Sequence, residues 1–274
     1  MTYLTDHIPS IQKAGSLIAT MTEFFNLDSY YSNLSTKYLG RPCKYFDQVE
    51  STIDVATREP SNTLVLAKEQ TKGRGQRTNT WHSPAGCAMG SIKLACRKVS
   101  PLAGKLCFLQ HIMALTIAKT LEQIDRNKLG KERIKLKWPN DLIYCNASGE
   151  TIKIGGVLVH SQEDQDQFDV TLSFGLNVLN KEPTICIKDI VDSSDIRMDS
   201  LIARIMNNLE NHTDIYDENK FQDIKQEYIE RCLQINKPVE DEHHGRVLAR
   251  EVNDDGFLVA EKNGKLCTVT RIVK

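Results

Sequence analysis

Apolar and polar positions along the chain follow two periods, and the switches between them mark out its elements. Short runs rich in β-branched and aromatic residues read as strands: "CKYFDQV" from Cys43, "TLVLAKEQ" from Thr63, "CAMGSIKLA" from Cys87, "RIKLKW" from Arg133, "KIGGVLVHS" from Lys153 and "FDVTLSFGLNV" from Phe168. The last two flank "QEDQDQ", an acidic stretch that suits a hairpin tip. Between the first two, "ESTIDVATR" predicts a helix with Ser51 or Thr52 as N-cap. Ser100 and Pro101 offer an N-cap and a first-turn proline to a long helix, in which Leu106, Leu109, Met113, Ile117, Leu121 and Ile124 keep three-and-four spacing. Its one apolar face predicts that it covers a sheet. Asp199 or Ser200 is expected to cap a helix bearing Leu201, Ile202, Ile205, Met206 and Leu209, and a further helix carries Phe221, Ile224 and Tyr228 on one side.

Strands grouped apart from helices predict an α+β fold, a mixed sheet with helices packed on one face. Before Cys43 only "SLIATMTEFFNL" (Ser16 to Leu27) has helical spacing, which predicts a short helix and loop packed on the rest of the chain. After Pro238 the pattern changes to three short strands, "RVLAREV", "FLVAEK" and "LCTVTRI", joined by "NDDG" and "KNGK", both tight-turn sequences. The expected division is an extension over 1–41, a main domain over 42–236 and a small β unit over 237–274.

Composition narrows the function classes. A chain of 274 residues, 40% hydrophobic and 26% charged, can bury a sizeable core. Its net charge of −1 argues against attraction of the whole protein to nucleic acid or an anionic membrane. Eight cysteines without a C-x-x-C pair suit free thiols in a reducing compartment, so a cytoplasmic location is expected. No apolar run is read as long enough to span a bilayer, and the amino end lacks a secretory apolar region.

Packing alone explains four segments poorly. "GRGQRTNTWHSP" (Gly73 to Pro84) combines glycines that let backbone N–H groups approach an anion, the fixed charges of Arg74 and Arg77, and the flat face of Trp81. It fits neither common phosphate-loop pattern, and an exposed hairpin with solvated arginines is the plain alternative. "KWPND" (Lys137 to Asp141) must break its strand at Pro139, which throws Asn140 and Asp141 onto the edge beyond; these fit a Mg²⁺ or nucleotide contact, or simply an Asx turn. "KIGGVLVHS" places Lys153 before Gly155 and Gly156, glycines that weaken a strand by about 0.5–1 kcal/mol each and are tolerated where a ligand lies against backbone. "FGLNV" repeats the theme with Gly175 and Asn177. The run "EDEHH" (Glu240 to His244) reads as a solvated linker rather than a metal site, and no G-x-S-x-G nucleophile signature is present.

In this order and spacing the four segments resemble the biotin protein ligases, over roughly residues 42 to 274. The likeness joins a G-R-G loop ending in W-x-S-P to K-W-P-N-D and then to a K-x-G-G strand. Lipoate ligases share the fold without the K-W-P-N-D wording. The resemblance implies a class II synthetase-like catalytic domain with a small SH3-like β-barrel after Pro238. It also implies ATP-dependent activation of biotin to biotinyl-5'-AMP and transfer to the acceptor lysine of a carboxylase carrier domain. Ser51 and Thr52 are implied beside the biotin ureido ring, with Gln70 completing its hydrogen bonds. Gly73 to Trp81, through Gln76 and Arg77, becomes the loop that closes over biotin and the adenylate. Arg74 falls near the reacting phosphate and carboxylate, and Trp81 against the adenine. Asn140 and Asp141 fall at the nucleotide and its magnesium, Lys153 at the biotin carboxyl, Gly156 and Gly175 along the biotin cleft, and Asn177 near the adenine. Lys153, Arg74 and Asp141 are the expected catalytic set, with Asp141 the metal ligand.

Two loop positions depart from the pattern, since many members carry arginine where this chain has Gln76 and glycine where it has Thr78. A ligase for lipoate or another carboxylate is the nearest alternative. A biotin-responsive DNA-binding repressor is the alternative of a different class. Repressors of this family carry a winged helix-turn-helix before the catalytic part, for which about forty residues with one evident helix are too few. The resemblance is therefore to a form without that domain, with no nucleic-acid or membrane partner and a homodimer left open.

Overall fold

The computed structural model describes residues 25–191, 196–214 and 218–273. Strands β1 (Cys43–Val49) and β2 (Leu64–Gln70) run parallel, and helix α1 (Leu27–Asn33) precedes them. The connection between them carries the short helix α2 (Thr52–Ala56), capped by Ser51, whose Oγ accepts from the Ile53 N–H at 3.3 Å. Strand β3 (Cys87–Arg97) is antiparallel to β2 and, on its other side, to β7 (Gln167–Asn177). Strand β6 (Thr151–Asp164) forms a long hairpin with β7, and the two-residue tip falls within the predicted acidic stretch. With β4 (Ile134–Lys137) and β5 (Asp141–Cys145) these make a mixed seven-stranded sheet in the order β1-β2-β3-β7-β6-β5-β4.

Strand β5 was not expected from the sequence, and it corrects the placing of Asn140 and Asp141. Pro139 does stop β4, but the chain reverses within three residues and Leu142 and Ile143 build another strand. Asn140 is consequently buried, and Asp141 opens β5 in register with Lys137 on one side and Gly156 on the other.

The segment predicted as one long helix is a 3-10 stretch over Pro101–Phe108 followed by α3 (Leu109–Glu122), with the break at Lys105. Ser100 makes no capping bond to it; its hydroxyl donates to Arg97 O instead. Pro101–Glu122 is, contrary to the sequence reading, long and apolar enough to cross a membrane. Here it is the central core helix: eleven of the fourteen residues of α3 are buried, between the sheet and helices that come later in the chain. Helix α4 (Arg126–Leu129) and α5 (Ile187–Val191) are short. Helices α6 (Met198–Thr213) and α7 (Glu218–Arg231) lie over α3, and Phe221, Ile224 and Tyr228 are buried as their spacing predicts. Asp199 does not cap α6. It lies inside the first turn, where the helix dipole favours an anion, and pairs with Arg197 at 2.9 Å.

The helix expected over Ser16–Leu27 falls almost wholly outside the described residues. Helix α1 packs on α6, and the Glu210 carboxylate of α6 accepts the N–H groups of Lys37, Tyr38 and Leu39 at 2.7–3.0 Å. Burial alone would raise the Glu210 carboxyl, but those three donors outweigh it and hold it below the usual range.

The carboxyl-terminal unit has four strands rather than three: β8 (Pro238–Asp241), β9 (Gly245–Val252), β10 (Leu258–Lys262) and β11 (Lys265–Val269), in the order β11-β10-β9-β8. Ile272 bridges back to Asp241, with Glu242 N–H donating to Arg271 O and Val273 N–H to Glu240 O, so the chain end closes the sheet into a small barrel. The "EDEHH" run is thus no linker. Asp241 is 2% exposed and accepts from the N–H groups of His243 and His244 and from His244 Nδ1, fixing the β8–β9 turn. One continuous apolar cluster joins this barrel to the main body.

Candidate active site

Side chains alternate across a sheet. On β3 and β7, Ile92 and Leu172 turn toward the helical core, which leaves Ser91, Ser173 and Gly175 on the other face. That face carries α2, the loop from Gly73 to Trp81, and an open cleft of about 860 Å³.

At one end of the cleft is a buried polar chain. Gln70 Oε1 accepts from the Thr52 N–H at 2.8 Å and from Thr52 Oγ1 at 3.1 Å; Thr52 Oγ1 meets Ser91 Oγ at 2.8 Å, and Ser91 Oγ donates to Ser173 Oγ at 2.9 Å. Gln70 Nε2 donates to Ser83 Oγ at 3.0 Å. Thr52, Gln70 and Ser173 reach the cleft, whereas Ser51 is buried as the α2 cap. Sequence reasoning missed Ser83, Ser91 and Ser173. A faint signal was available in Ser91, a lone hydroxyl in an apolar strand, and the fold makes Ser173 its direct register partner.

The loop is a small hairpin. Arg74 bridges Thr80, Gly75 N–H donates to Asn79 O, and Trp81 N–H donates to Gly73 O at 2.9 Å. Gly73 lies off the cleft and is required by the close approach of the two arms, because a β-carbon there would stand 2.4 Å from Trp81 O. Arg77 takes the left-handed conformation at the tip (φ 60°). Gln76, Arg77 and Trp81 line the cleft. Arg74 does too, with its Nη2 bound to both carboxylate oxygens of Asp54 at 2.6 and 2.7 Å.

Across the cleft, Lys153 Nζ pairs with Asp141 Oδ1 at 2.6 Å and stands 5.5 Å from the Trp81 ring centroid. Gly156, Gly175 and Asn140 complete this wall. Asn140 Nδ2 donates to Val157 O at 3.0 Å. Asn177 does not line the cleft. It is 2% exposed and donates to Thr184 Oγ1, which in turn donates to Lys153 O, so it braces the backbone of the K-x-G-G strand.

A third wall was invisible in the sequence: Cys107 from the 3-10 stretch, Gln110 from the first turn of α3, Asp255 to Phe257 from the β9–β10 turn, and Thr270 to Ile272. Gly256 O accepts from Trp138 Nε1 at 2.9 Å and meets His111 Nε2 at 2.8 Å. Burial pulls His111 down to about 4, the Gly256 and Pro139 carbonyls offsetting this only in part, so the ring is neutral at pH 7 and Nε2 carries the proton.

Residues 45–177 match the model of the biotin/lipoate A/B protein ligase family. Biotin–protein ligase 2 of Arabidopsis thaliana is 31% identical over 244 residues, an alignment covering 84% of this chain and 68% of that protein. The chain belongs to the biotin/lipoate protein ligase family. The human biotin–protein ligase is 30% identical over 230 residues, 76% of this chain and 31% of the human protein, so the chain spans about a third of that relative. The fold is likewise that of the family. The biotin protein ligase from Aquifex aeolicus in complex with biotin and ATP superposes with a TM-score of 0.65 at 20% identity, covering 84% of this chain and 95% of that one. The Leishmania major enzyme in complex with biotinyl-5-AMP gives 0.55 at 22% identity, covering 84% and 98%.

Proposed function

We propose that this chain is an ATP-dependent biotin protein ligase, which converts biotin to biotinyl-5'-AMP with release of pyrophosphate and transfers it to the acceptor lysine of a carboxylase carrier domain. The observation that carries the reading is the convergence on one cleft of the Thr52–Gln70 polar pair, the glycine-rich hairpin and the Lys153–Asp141 pair.

A carboxylate cannot acylate an amine until its oxygen becomes a good leaving group. Its own oxygen attacks the α-phosphate of ATP, forming the mixed anhydride as pyrophosphate departs, so the protein needs no serine, cysteine or histidine nucleophile. Its task is to bring two anions together. At an effective dielectric constant near 20, like charges about 4 Å apart repel by roughly 4 kcal/mol. Lys153, Arg74 and the loop's backbone N–H groups offset that repulsion, and Lys153 holds the carbonyl oxygen as it becomes negative when the amine attacks. Binding phosphate costs Arg74 its bond to Asp54, a half-exposed pair worth about 0–1 kcal/mol, which is easily replaced. Gln70 and Thr52 present donors and acceptors suited to a cyclic urea.

The Asp141 carboxylate on the cleft wall is a hard-oxygen ligand of the kind magnesium accepts while filling its remaining positions with phosphate oxygens and water, and Asn140 lines the same wall. Magnesium would supply charge neutralisation at the phosphates. The hairpin excludes water from the anhydride. A cytoplasmic location suits the eight free cysteines.

Incubation with ATP, Mg²⁺, biotin and a biotin-carrier domain is expected to raise the carrier's mass by one biotinyl group. An unmodified carrier, with no biotin-dependent pyrophosphate exchange, would remove the proposal. Lipoate supplied in the same assay decides the nearest alternative within the family.

A further inference from the structure

Two glycines that look equivalent in the sequence differ in the fold. Gly156 on β6 and Gly175 on β7 are register partners on the cleft wall. A β-carbon on Gly156 would make only ordinary contacts, its nearest neighbours standing at 3.6–3.7 Å. On Gly175 it would lie 2.6 Å from Trp81 Nε1, 2.7 Å from Cε2 and 3.1 Å from Cζ2, against the rigid part of an indole. The ring has no hydrogen bond to fix it, because Nε1 is buried without a partner. What holds it is shape, together with the Lys153 ammonium 5.5 Å from the ring centroid.

We propose that Gly175 is a positioning residue whose missing side chain seats Trp81, so that β7 decides where the hairpin comes to rest on the cleft. The inference builds on the reading of Gly73–Trp81 as a lid. It goes beyond the expectation that Gly175 lies along the biotin cleft. Any side chain on Gly175 pushes the indole off the sheet and loosens the hairpin, which the exposed Arg74–Asp54 pair also ties to this face.

The test needs neither vitamin nor nucleotide, so it stands even if the protein activates a different carboxylate. Trypsin cleavage after Arg77 at the hairpin tip reports opening of the lid. Gly175→Ala and Trp81→Ala are each expected to speed this cleavage several-fold, and the double variant no further than either single one. Gly156→Ala should leave it unchanged. Cleavage in Gly175→Ala at the unmodified rate overturns the proposal. So do multiplicative effects in the double variant, which mark two independent losses. If Gly175→Ala fails to fold, adding Trp81→Ala must restore folding, since the clash is then gone; a double variant that also fails refutes the seat.

Discussion

Lys153 shows how much a residue's meaning depends on its neighbour. Alone in the sequence it is an ordinary surface lysine; in the fold its ammonium is 2.6 Å from Asp141 and faces the cleft. Lys153→Ala removes the cation nearest the proposed reacting carboxylate, and biotin-dependent ATP–pyrophosphate exchange is expected to fall by about 100-fold or more. Lys153→Arg should recover only part of it, because the planar guanidinium does not reproduce a compact ammonium. Near-normal exchange in the alanine variant would take Lys153 out of the chemistry. Arg77 carries strain of a different kind. Glycine costs nothing at φ 60°, so Arg77→Gly should raise the unfolding midpoint slightly or leave it unchanged, as read by urea titration, whereas Thr78→Gly should lower it.

At the scale of elements, α3 is the buried pillar, and His111 on it ties stability to pH. The folded protein holds this ring near about 4, against about 6.5 in the unfolded chain. Between those values the unfolded chain binds the extra proton. Stability is therefore full above about pH 6.5, declines as the pH falls toward 4 by roughly 3 kcal/mol, and then levels off in this contribution. His111→Gln, which keeps a donor for Gly256 O, is expected to flatten the urea midpoint between pH 7 and pH 4.5. His212, also pulled down to about 4 by burial and then by Lys119, preserves part of the slope. An unaltered slope in the variant would mean that His111 is protonated in the folded state.

For the whole molecule, the barrel is a fixed wall of the cleft. Trp138, from the motif that first pointed to nucleotide chemistry, turns inward and donates to Gly256 O in the β9–β10 turn. Trp138→Phe keeps most of the buried area and loses that donor, so a cost of about 1 kcal/mol is expected. Hydrogen exchange over residues 253–257 should accelerate while β1 to β3 stay protected. Uniform acceleration across the chain would show that Trp138 supports the core and not this junction.

Strand and helix periods, the Ser51 cap and the acidic hairpin tip were legible because each depends on residues close together in the chain. Short-range patterning also sufficed for the α+β class. Pro139 shows where β4 stops but not that the chain reverses there and pairs β5 with its neighbours β4 and β6, and the barrel closure through Ile272 rests on Asp241, far back in the chain. So it was with the site. The sequence chose the residue types at Thr52, Gln70, Arg74, Trp81, Asp141 and Lys153, but only the antiparallel register of β3, β7, β6 and β5 brings them to one face. That same register alone makes Gly175 a seat and leaves Gly156 free, because steric exclusion acts between groups that chain order keeps far apart.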